Sequence, residues 1–295
     1  MRVRRSRRRV ARVYLPRVTL DLFALLIALG SFCAGLLGAL TGLGGGIIVV
    51  PMLTLLFHVD IRYAIGASLV SVIATSSGAA AAYVREGWTN VRIGIFLEVA
   101  TTIGALVGAA LAGVIPTSAL AMLFGITLLY TAFRSFQTRA EHATTEPPHP
   151  WATKLRLNSS YPTPQGAQQY TVQGVPAGFS LMFGAGILSA LLGIGSGVIK
   201  VIAMDRTMKL PFKVSTTTSN FMIGVTAAAS AGVYLHRGYI EPALAFPVML
   251  GVLAGAMLGA KLLARANVRW LRIIFTSVVV VMAVQMLMRG LRGGQ

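Results

Sequence analysis

Long apolar runs separated by short polar segments dominate the pattern of this chain. The hydrocarbon core of a bilayer is about 30 Å thick, so a helix that crosses it needs about 20 predominantly apolar residues. Runs of this kind occur at residues 66–84, 93–115, 117–133, 214–235, 240–260 and 270–288. We therefore predict an all-α polytopic membrane protein.

An additional apolar run opens each half of the chain, and it is too long or too glycine-rich for one straight helix. The first extends from Leu20 to Phe57, and at about 1.5 Å per residue it would be about twice as long as the core is thick. We predict that it breaks at Gly42–Gly46 and that the second run breaks at Gly193–Gly197, because clustered glycines weaken a helix. Non-helical backbone at membrane depth is tolerated only where protein buries it or a cavity faces it, so each break indicates a cavity wall.

The chain also resembles itself when it is shifted by 151 residues. Phe32, Gly35, Leu40, Gly42, Gly44, Gly46, Ile48 and Val50 align with Phe183, Gly186, Leu191, Gly193, Gly195, Gly197, Ile199 and Val201. This alignment predicts two homologous repeats, at 18–136 and 177–290, of four to five transmembrane segments each. A glycine-broken helix opens each repeat, and a polar, proline-rich linker at 137–176 joins them.

Composition and charge exclude several classes of protein. Apolar residues make up 55% of the 295 residues and charged residues only 12%, whereas a soluble domain carries about 25% charged residues. The net charge of +18 does not indicate a nucleic-acid-binding protein, because eight of the 26 Lys and Arg residues lie within residues 1–17 and most others at segment ends. We interpret residues 1–17 as a basic cytoplasmic segment and expect a multi-pass protein of a bacterial inner membrane. Cys33 is the single cysteine and no cluster has metal-site spacing, so we expect no cofactor or metal.

The first break carries a specific resemblance. The sequence GLLGALTGLGGGIIVVP at residues 35–51, followed by apolar spans and a degenerate second copy, resembles the TauE/SafE family of membrane permeases, the sulfite exporter family. The resemblance covers about residues 20–290. It implies a secondary transporter that exports or exchanges small sulfur-containing anions such as sulfite or organosulfonates. The second copy differs in having Ser196 in place of Gly45 and Lys200 in place of Val49.

The broken helices favour an anion on physical grounds as well. A helix that restarts after a break has unpaired amide N–H groups and about half a positive charge at its N-terminus, so it can hold an anion. We predict that such half-helices hold the substrate at the midplane. The candidate residues are Gly44, Gly45, Gly46, Gly195, Ser196 and Gly197.

The competing interpretation of these glycines is close helix packing, to which we assign Gly104, Gly108, Gly255 and Gly259. At the two breaks we favour the functional interpretation. We therefore expect a bulky residue at a break to fill the cavity without disturbing the outer packing faces.

Polar and charged residues within the spans supply further candidates. Ser68, Ser71, Ser219 and Asn220 occupy overlapping positions in the two halves and are predicted to contact the substrate. Lys200 lies in an apolar run, where it either contacts the substrate or extends to the interface. Glu98 is the most embedded acid, and it is a candidate for carrying a coupling proton or a partner for a neighbouring hydroxyl.

Several alternatives stay open at the level of sequence. The repeats are inverted if each broken segment turns back and parallel if it crosses obliquely; the length of the first run favours inversion, whereas the distribution of Lys and Arg favours parallel repeats. Besides a sulfur-anion permease, the chain fits a permease for another small anion such as a carboxylate, or a membrane scaffold or sensor. A serine protease is disfavoured because no histidine lies near Ser196 in the pattern, and we expect no enzyme. The expected partners are the anion and the bilayer, with a homo-oligomer as an open alternative.

Overall fold

Helices form most of the chain in the computed structural model, which describes residues 20–41, 45–85, 87–135, 149–163, 166–263 and 268–293. The helices are α1 Leu20–Thr41, α2 Gly46–Leu55, α3 Ile61–Arg85, α4 Val91–Ala112, α5 Thr117–Ser135, α6 Pro150–Lys154, α7 Val175–Leu192, α8 Gly197–Ile202, α9 Phe212–His236, α10 Pro242–Leu263 and α11 Val268–Leu291. Helix α8 continues directly into a π-helical turn, Ala203–Thr207. Two strands, β1 Ser159–Thr163 and β2 Gly166–Tyr170, lie in the linker. The basic segment 1–17 and the first part of the linker lie outside the described residues.

The helices have the length and surface of a multi-pass membrane protein. Among the described residues, five helices are long and apolar enough to cross a bilayer, namely α1, α4, α7, α10 and α11. Large apolar side chains such as Leu25, Ile95 and Phe133 are exposed on the outside of the helices, as expected where lipid surrounds the protein. The sequence-based prediction of a helical, polytopic membrane protein is confirmed.

Each broken segment turns back on itself. The rings of Phe23, near the start of α1, and Phe57, just after α2, meet edge to face with centroids 5.8 Å apart. In the second half of the chain, the backbone N–H of Gln173 donates to the carbonyl of Met208 at 3.1 Å, which joins the start of α7 to the end of the π turn. Both pairs, α1–α2 and α7–α8, are therefore re-entrant hairpins, as the length argument predicted for the first.

Helices α3 and α9, which the 151-residue shift aligns, run in opposite directions. Helix α9 is antiparallel to α3, because Gly224 lies beside Ser76 while Gly66 lies beside Tyr239. Helix α4, by contrast, runs parallel to α9: the N–H of Asn90 donates to Thr218 near their starts, and Arg237 donates to the carbonyl of Ala109 near their ends.

Close backbone contacts hold the two halves together. Helix α1 packs along α10, and α4 packs along α7. A Cβ atom at Gly104 would overlap the carbonyl oxygen of Phe183, and one at Gly255 would overlap that of Phe32. Similar contacts bring Gly108 against Ile187 and Gly259 against Leu36. The assignment of these four glycines to helix packing is confirmed.

The described part of the linker contains one small β-hairpin, which the sequence analysis did not predict, in an otherwise helical protein. Strands β1 and β2 form an antiparallel hairpin, in which Tyr161 and Tyr170 are buried, as is Leu157 just before β1. Asn90 fastens this unit to the membrane helices: its Oδ1 caps α4 by accepting from Ile93 at 3.1 Å, and its Nδ2 donates to Tyr170 at 2.7 Å. The sequence analysis did not predict these short strands, because their Pro, Gln and Ser residues leave no clear alternation of apolar and polar positions.

Candidate functional site

The two breaks meet at the buried side chain of Ser68. Its hydroxyl lies 2.7 Å from the carbonyl oxygen of Gly193 and 3.5 Å from that of Gly46. A hydroxyl has one proton, so the shorter distance marks the hydrogen bond. Ser219 is placed similarly in the other half, where it donates to the carbonyl of Gly197 at 3.2 Å. Both serines therefore fix the backbone beside a break.

The second break has a strained backbone. Gly193, Gly195 and Ser196 have φ angles of +66°, +70° and +44°, in the left-handed region. Glycine adopts this region at little cost, whereas a side chain such as that of Ser196 raises its energy by about 1–2 kcal/mol. In the first break, Gly45 is right-handed with φ −68°, and Gly44 lies outside the described residues.

After each break a helix begins whose first backbone amides have no hydrogen-bond acceptor among the described residues. The first N–H groups to bond within α2 are those of Ile48 and Val49, which donate to the carbonyl of Gly45 at 3.1 and 3.2 Å. In α8, the N–H groups of Ile199 and Lys200 donate in the same way to the carbonyl of Ser196. No described side chain caps either helix, so the amides of the first turn are candidate donors to a ligand.

Ser196 is buried in an unusual way. Its side chain is 2% exposed, and among the described residues its hydroxyl has no hydrogen-bond partner. A buried hydroxyl without a partner costs about 1–3 kcal/mol. A serine protease would require a base in contact with this hydroxyl.

The break glycines also pack against neighbouring helices, which corrects one expectation. A Cβ atom at Gly45 would lie 2.8 Å from a methyl group of Val252 and 3.1 Å from the Cα of Gly35. At Gly197 it would lie 2.8 Å from Ile223. The expectation that a bulky residue at a break leaves the packing faces undisturbed is therefore wrong, because the re-entrant hairpin brings the break against α1, α9 and α10.

Lys200 and Glu98 come together in the core of the protein. The Lys200 side chain is fully buried and Glu98 is 7% exposed. The ammonium donates to the hydroxyl of Thr226 at 2.6 Å, and that hydroxyl lies 2.6 Å from Glu98 Oε1. Lys200 Nζ is 3.9 Å from Glu98 Oε2. We call these three residues the Lys–Thr–Glu cluster.

This cluster corrects one of the two alternatives for Lys200. Its side chain does not extend to the membrane interface, because no part of it is exposed and its ammonium contacts Thr226. For Glu98, the predicted bond to a hydroxyl is confirmed: Thr101 donates to Oε2 at 3.0 Å and Thr102 to Oε1 at 3.2 Å, in addition to the contact with Thr226.

The ammonium is not fully satisfied in this arrangement. It carries three N–H donors, and Thr226 accepts one of them. The 3.9 Å separation from Glu98 is an ion pair but is too long for a hydrogen bond. Among the described residues, two donors of this fully buried cation therefore have no acceptor, and such donors are the chemistry that an anion requires.

Thr226 was missed by the sequence analysis, although two signals pointed to it. The shift of 151 residues aligns Thr226 with Thr75, and Thr226 lies two helical turns after Ser219 on the same face of α9. The same shift aligns Lys200 with Val49 and Glu98 with Met249. The positions that the shift aligns with Lys200 and Glu98 therefore carry uncharged residues, and the charged cluster has no counterpart there.

The remaining candidates have more ordinary surroundings. Ser71 donates to the carbonyl of Ser68 at 2.8 Å within its own helix, which is a common structural role. Asn220 follows Ser219 on α9 and is partly buried. That either residue contacts a substrate remains a prediction.

Substituting Ser196 separates a role of the backbone from a role of its hydroxyl. We expect Ser196→Gly to retain most of the affinity for the anion, because glycine relieves the positive φ and recreates the residue of the first break. Ser196→Leu should abolish binding, since it adds bulk at the same strained position. Calorimetric titration of sulfite into the purified variants checks both results. Complete loss of binding in Ser196→Gly would instead show that the hydroxyl contacts the anion.

Comparisons with known proteins agree on the class of protein. Two relatives from Bacillus subtilis (strain 168) are named probable membrane transporter protein YunE and probable membrane transporter protein YdhB. YunE is 26% identical over 277 residues, covering 91% of this chain and 98% of that protein. YdhB is 29% identical over 243 residues, covering 80% of this chain and 89% of its own length. A relative from Methanocaldococcus jannaschii, also named a probable membrane transporter protein, is 25% identical over 90% of this chain and 96% of its own. No solved structure matches the chain.

The model of one protein family, described as sulfite exporter TauE/SafE, matches residues 27–286. This range contains both breaks, the Lys–Thr–Glu cluster, the second re-entrant hairpin and all but the first turns of the first. The chain therefore belongs to the TauE/SafE family of membrane transporters.

Proposed function

We propose that this protein is a secondary transporter that exports or exchanges small sulfur-containing anions, such as sulfite or organosulfonates, across a bacterial inner membrane. The observation that carries the proposal is the buried ammonium of Lys200, which has spare N–H donors and lies one helical turn beyond the second break. A buried cation is costly and is retained in membrane helices mainly where it pairs or serves transport.

The surroundings of Lys200 complete a site for an anion. The unpaired amides after both breaks, the buried hydroxyl of Ser196 and the ammonium are all hydrogen-bond donors. The two breaks are in contact through Ser68, so donors from both halves of the chain converge on one region. We infer that the anion binds in this region when the helices around it separate.

The arrangement of the helices is compatible with alternating access to the two sides of the membrane. We infer two inverted repeats from the pairing of α1 with α10 and of α4 with α7, together with the opposite directions of α3 and α9. Transporters of this construction bind substrate at the interface of the repeats and expose it alternately to the two sides by rocking one part against another. The small residues on the packed faces of α4 and α10 are compatible with such movement, because few side chains interlock between these helices and their neighbours.

A permease for small carboxylates is the second candidate. Lys200 is a point charge and would attract a carboxylate as well as a sulfonate. A sulfonate differs in presenting three oxygen atoms, which can use the spare N–H donors of Lys200 and a backbone amide at the same time. We therefore favour the sulfur-containing anions.

Flux measurements on the protein reconstituted in vesicles test this proposal. We expect sulfite and 2-hydroxyethanesulfonate to cross protein-containing vesicles faster than protein-free vesicles, and acetate to compete weakly. Preferred transport of acetate would assign the protein to carboxylates. Absence of flux for all anions would favour a scaffold or sensor.

A further inference from the structure

The Lys–Thr–Glu cluster contains its own anion, the carboxylate of Glu98, beside the cation that the substrate requires. We propose that this carboxylate occupies the place of the substrate when the transporter is empty and takes up one proton when the substrate binds, so that one proton and one anion cross the membrane together. This inference rests on the proposed function and adds its coupling ion.

The first argument is the charge of the buried site. Lys200 and Glu98 together are neutral, and both are shielded from solvent by α4, α8 and α9. Adding an anion would leave one uncompensated negative charge in this region, which is costly in a medium of low dielectric constant. Protonation of Glu98 removes that charge, so a monoanion then restores neutrality with Lys200.

The second argument is that Thr226 allows the exchange to occur. Its hydroxyl accepts from Lys200, and its single proton has two acceptors within reach, Glu98 Oε1 at 2.6 Å and the carbonyl of Met222 at 3.1 Å. When a proton from water adds to Glu98 Oε1, that oxygen becomes the donor to Thr226, and the threonine proton turns to Met222. The hydroxyl of Thr226 therefore has an acceptor for its proton both before and after Glu98 is protonated.

The third argument is the absence of competing charges around Glu98 in the described helices. Helix α7, which packs along α4, contains no charged residue, and the charged groups of α9 are Lys213 in its first turn and His236 at its last position. Lys213 stacks on the ring of Trp88, with Nζ 3.5 Å from its centroid. Beyond Lys200, Asp205 and Arg206 lie in the π turn. Lys200 is therefore the charged group that Glu98 meets directly.

Anion binding measured against pH tests the inference. The probe is 2-hydroxyethanesulfonate, because its single negative charge does not change between mildly acidic and mildly alkaline solution. For the purified wild-type protein, we expect the dissociation constant to rise by about tenfold per pH unit once Glu98 is deprotonated, since each anion binds with one proton. The variant Glu98→Gln mimics the protonated acid and should bind with the acid-limit affinity at every pH. The control Glu241→Gln, which neutralises an exposed acid at the start of α10, should keep the wild-type pH profile.

A second measurement uses only the wild-type protein, in case Glu98→Gln does not fold. A gradient of 2-hydroxyethanesulfonate into vesicles that contain a pH indicator should acidify the interior as the anion enters. Anion flux without acidification would overturn the inference, as would wild-type binding that is independent of pH. A folded Glu98→Gln variant that binds no anion would assign Glu98 to positioning Lys200 only. Failure of the wild-type protein to bind or transport any sulfur-containing anion would instead reject the proposed function.

Discussion

Replacing Lys200 with methionine is expected to raise the dissociation constant for the anion by at least about 100-fold. Two charge-assisted hydrogen bonds would be lost at about 1.5–3 kcal/mol each, and about 1.4 kcal/mol corresponds to a factor of ten. Methionine fills a similar volume, so the loss of affinity would result from removal of the charge and not from a cavity. Calorimetric titration with sulfite and with 2-hydroxyethanesulfonate measures the effect.

The same substitution should also lower the free energy of unfolding by about 3–5 kcal/mol, because it leaves Glu98 buried without its cation. A double variant separates the two effects. In Lys200→Met/Glu98→Gln, both charges are absent, so stability should return towards that of the wild type while anion binding remains lost. The aligned positions, Val49 in the first repeat and Met249 in the second, show that uncharged side chains occur at the corresponding places. Wild-type affinity in the double variant would place the anion elsewhere.

Adding a single methyl group at Gly104 or Gly255 is expected to disrupt the close packing of the helices. Each glycine faces the backbone carbonyl of the neighbouring helix, Phe183 or Phe32, at a distance that no Cβ atom can occupy. Because a backbone carbonyl cannot move aside as a flexible side chain can, α4 and α7, or α1 and α10, would have to separate. We expect Gly104→Ala and Gly255→Ala each to destabilise the protein by about 3 kcal/mol.

Gly184 is the matched control for this prediction. It lies on α7 one residue from Phe183, but a Cβ atom there would meet no neighbouring heavy atom within 4 Å. Gly184→Ala should therefore leave stability unchanged or raise it by about 0.5–1 kcal/mol through its higher helix propensity. Thermal unfolding in detergent, monitored by elution of the folded species, compares the three variants. Equal stability of all three would show that the helix spacing does not depend on these glycines.

The sequence by itself determined the membrane class and the approximate positions of the helices. A bilayer imposes the same requirement on every crossing segment, an apolar run of about 20 residues, so these positions follow from local hydropathy. The breaks were also predictable, because clustered glycines in an over-long run leave little alternative to a disrupted helix. The packing role of Gly104 and Gly255 followed from the spacing of small residues.

The tertiary structure alone decided how the candidate residues combine. Glu98 and Thr226 are 128 positions apart in the chain, and whether they meet depends on the rotation and crossing of α4 and α9. For Lys200, the apolar surroundings were equally compatible with the membrane interface and with the core; the re-entrant course of α7 and α8 turned it inward. The hairpin in the linker likewise depended on packing, because Tyr161 and Tyr170 contact Trp88 and Asn90 in the connection between α3 and α4. Local patterns determine which segments enter the membrane, whereas the meeting of distant polar groups depends on helix contacts that only the folded chain provides.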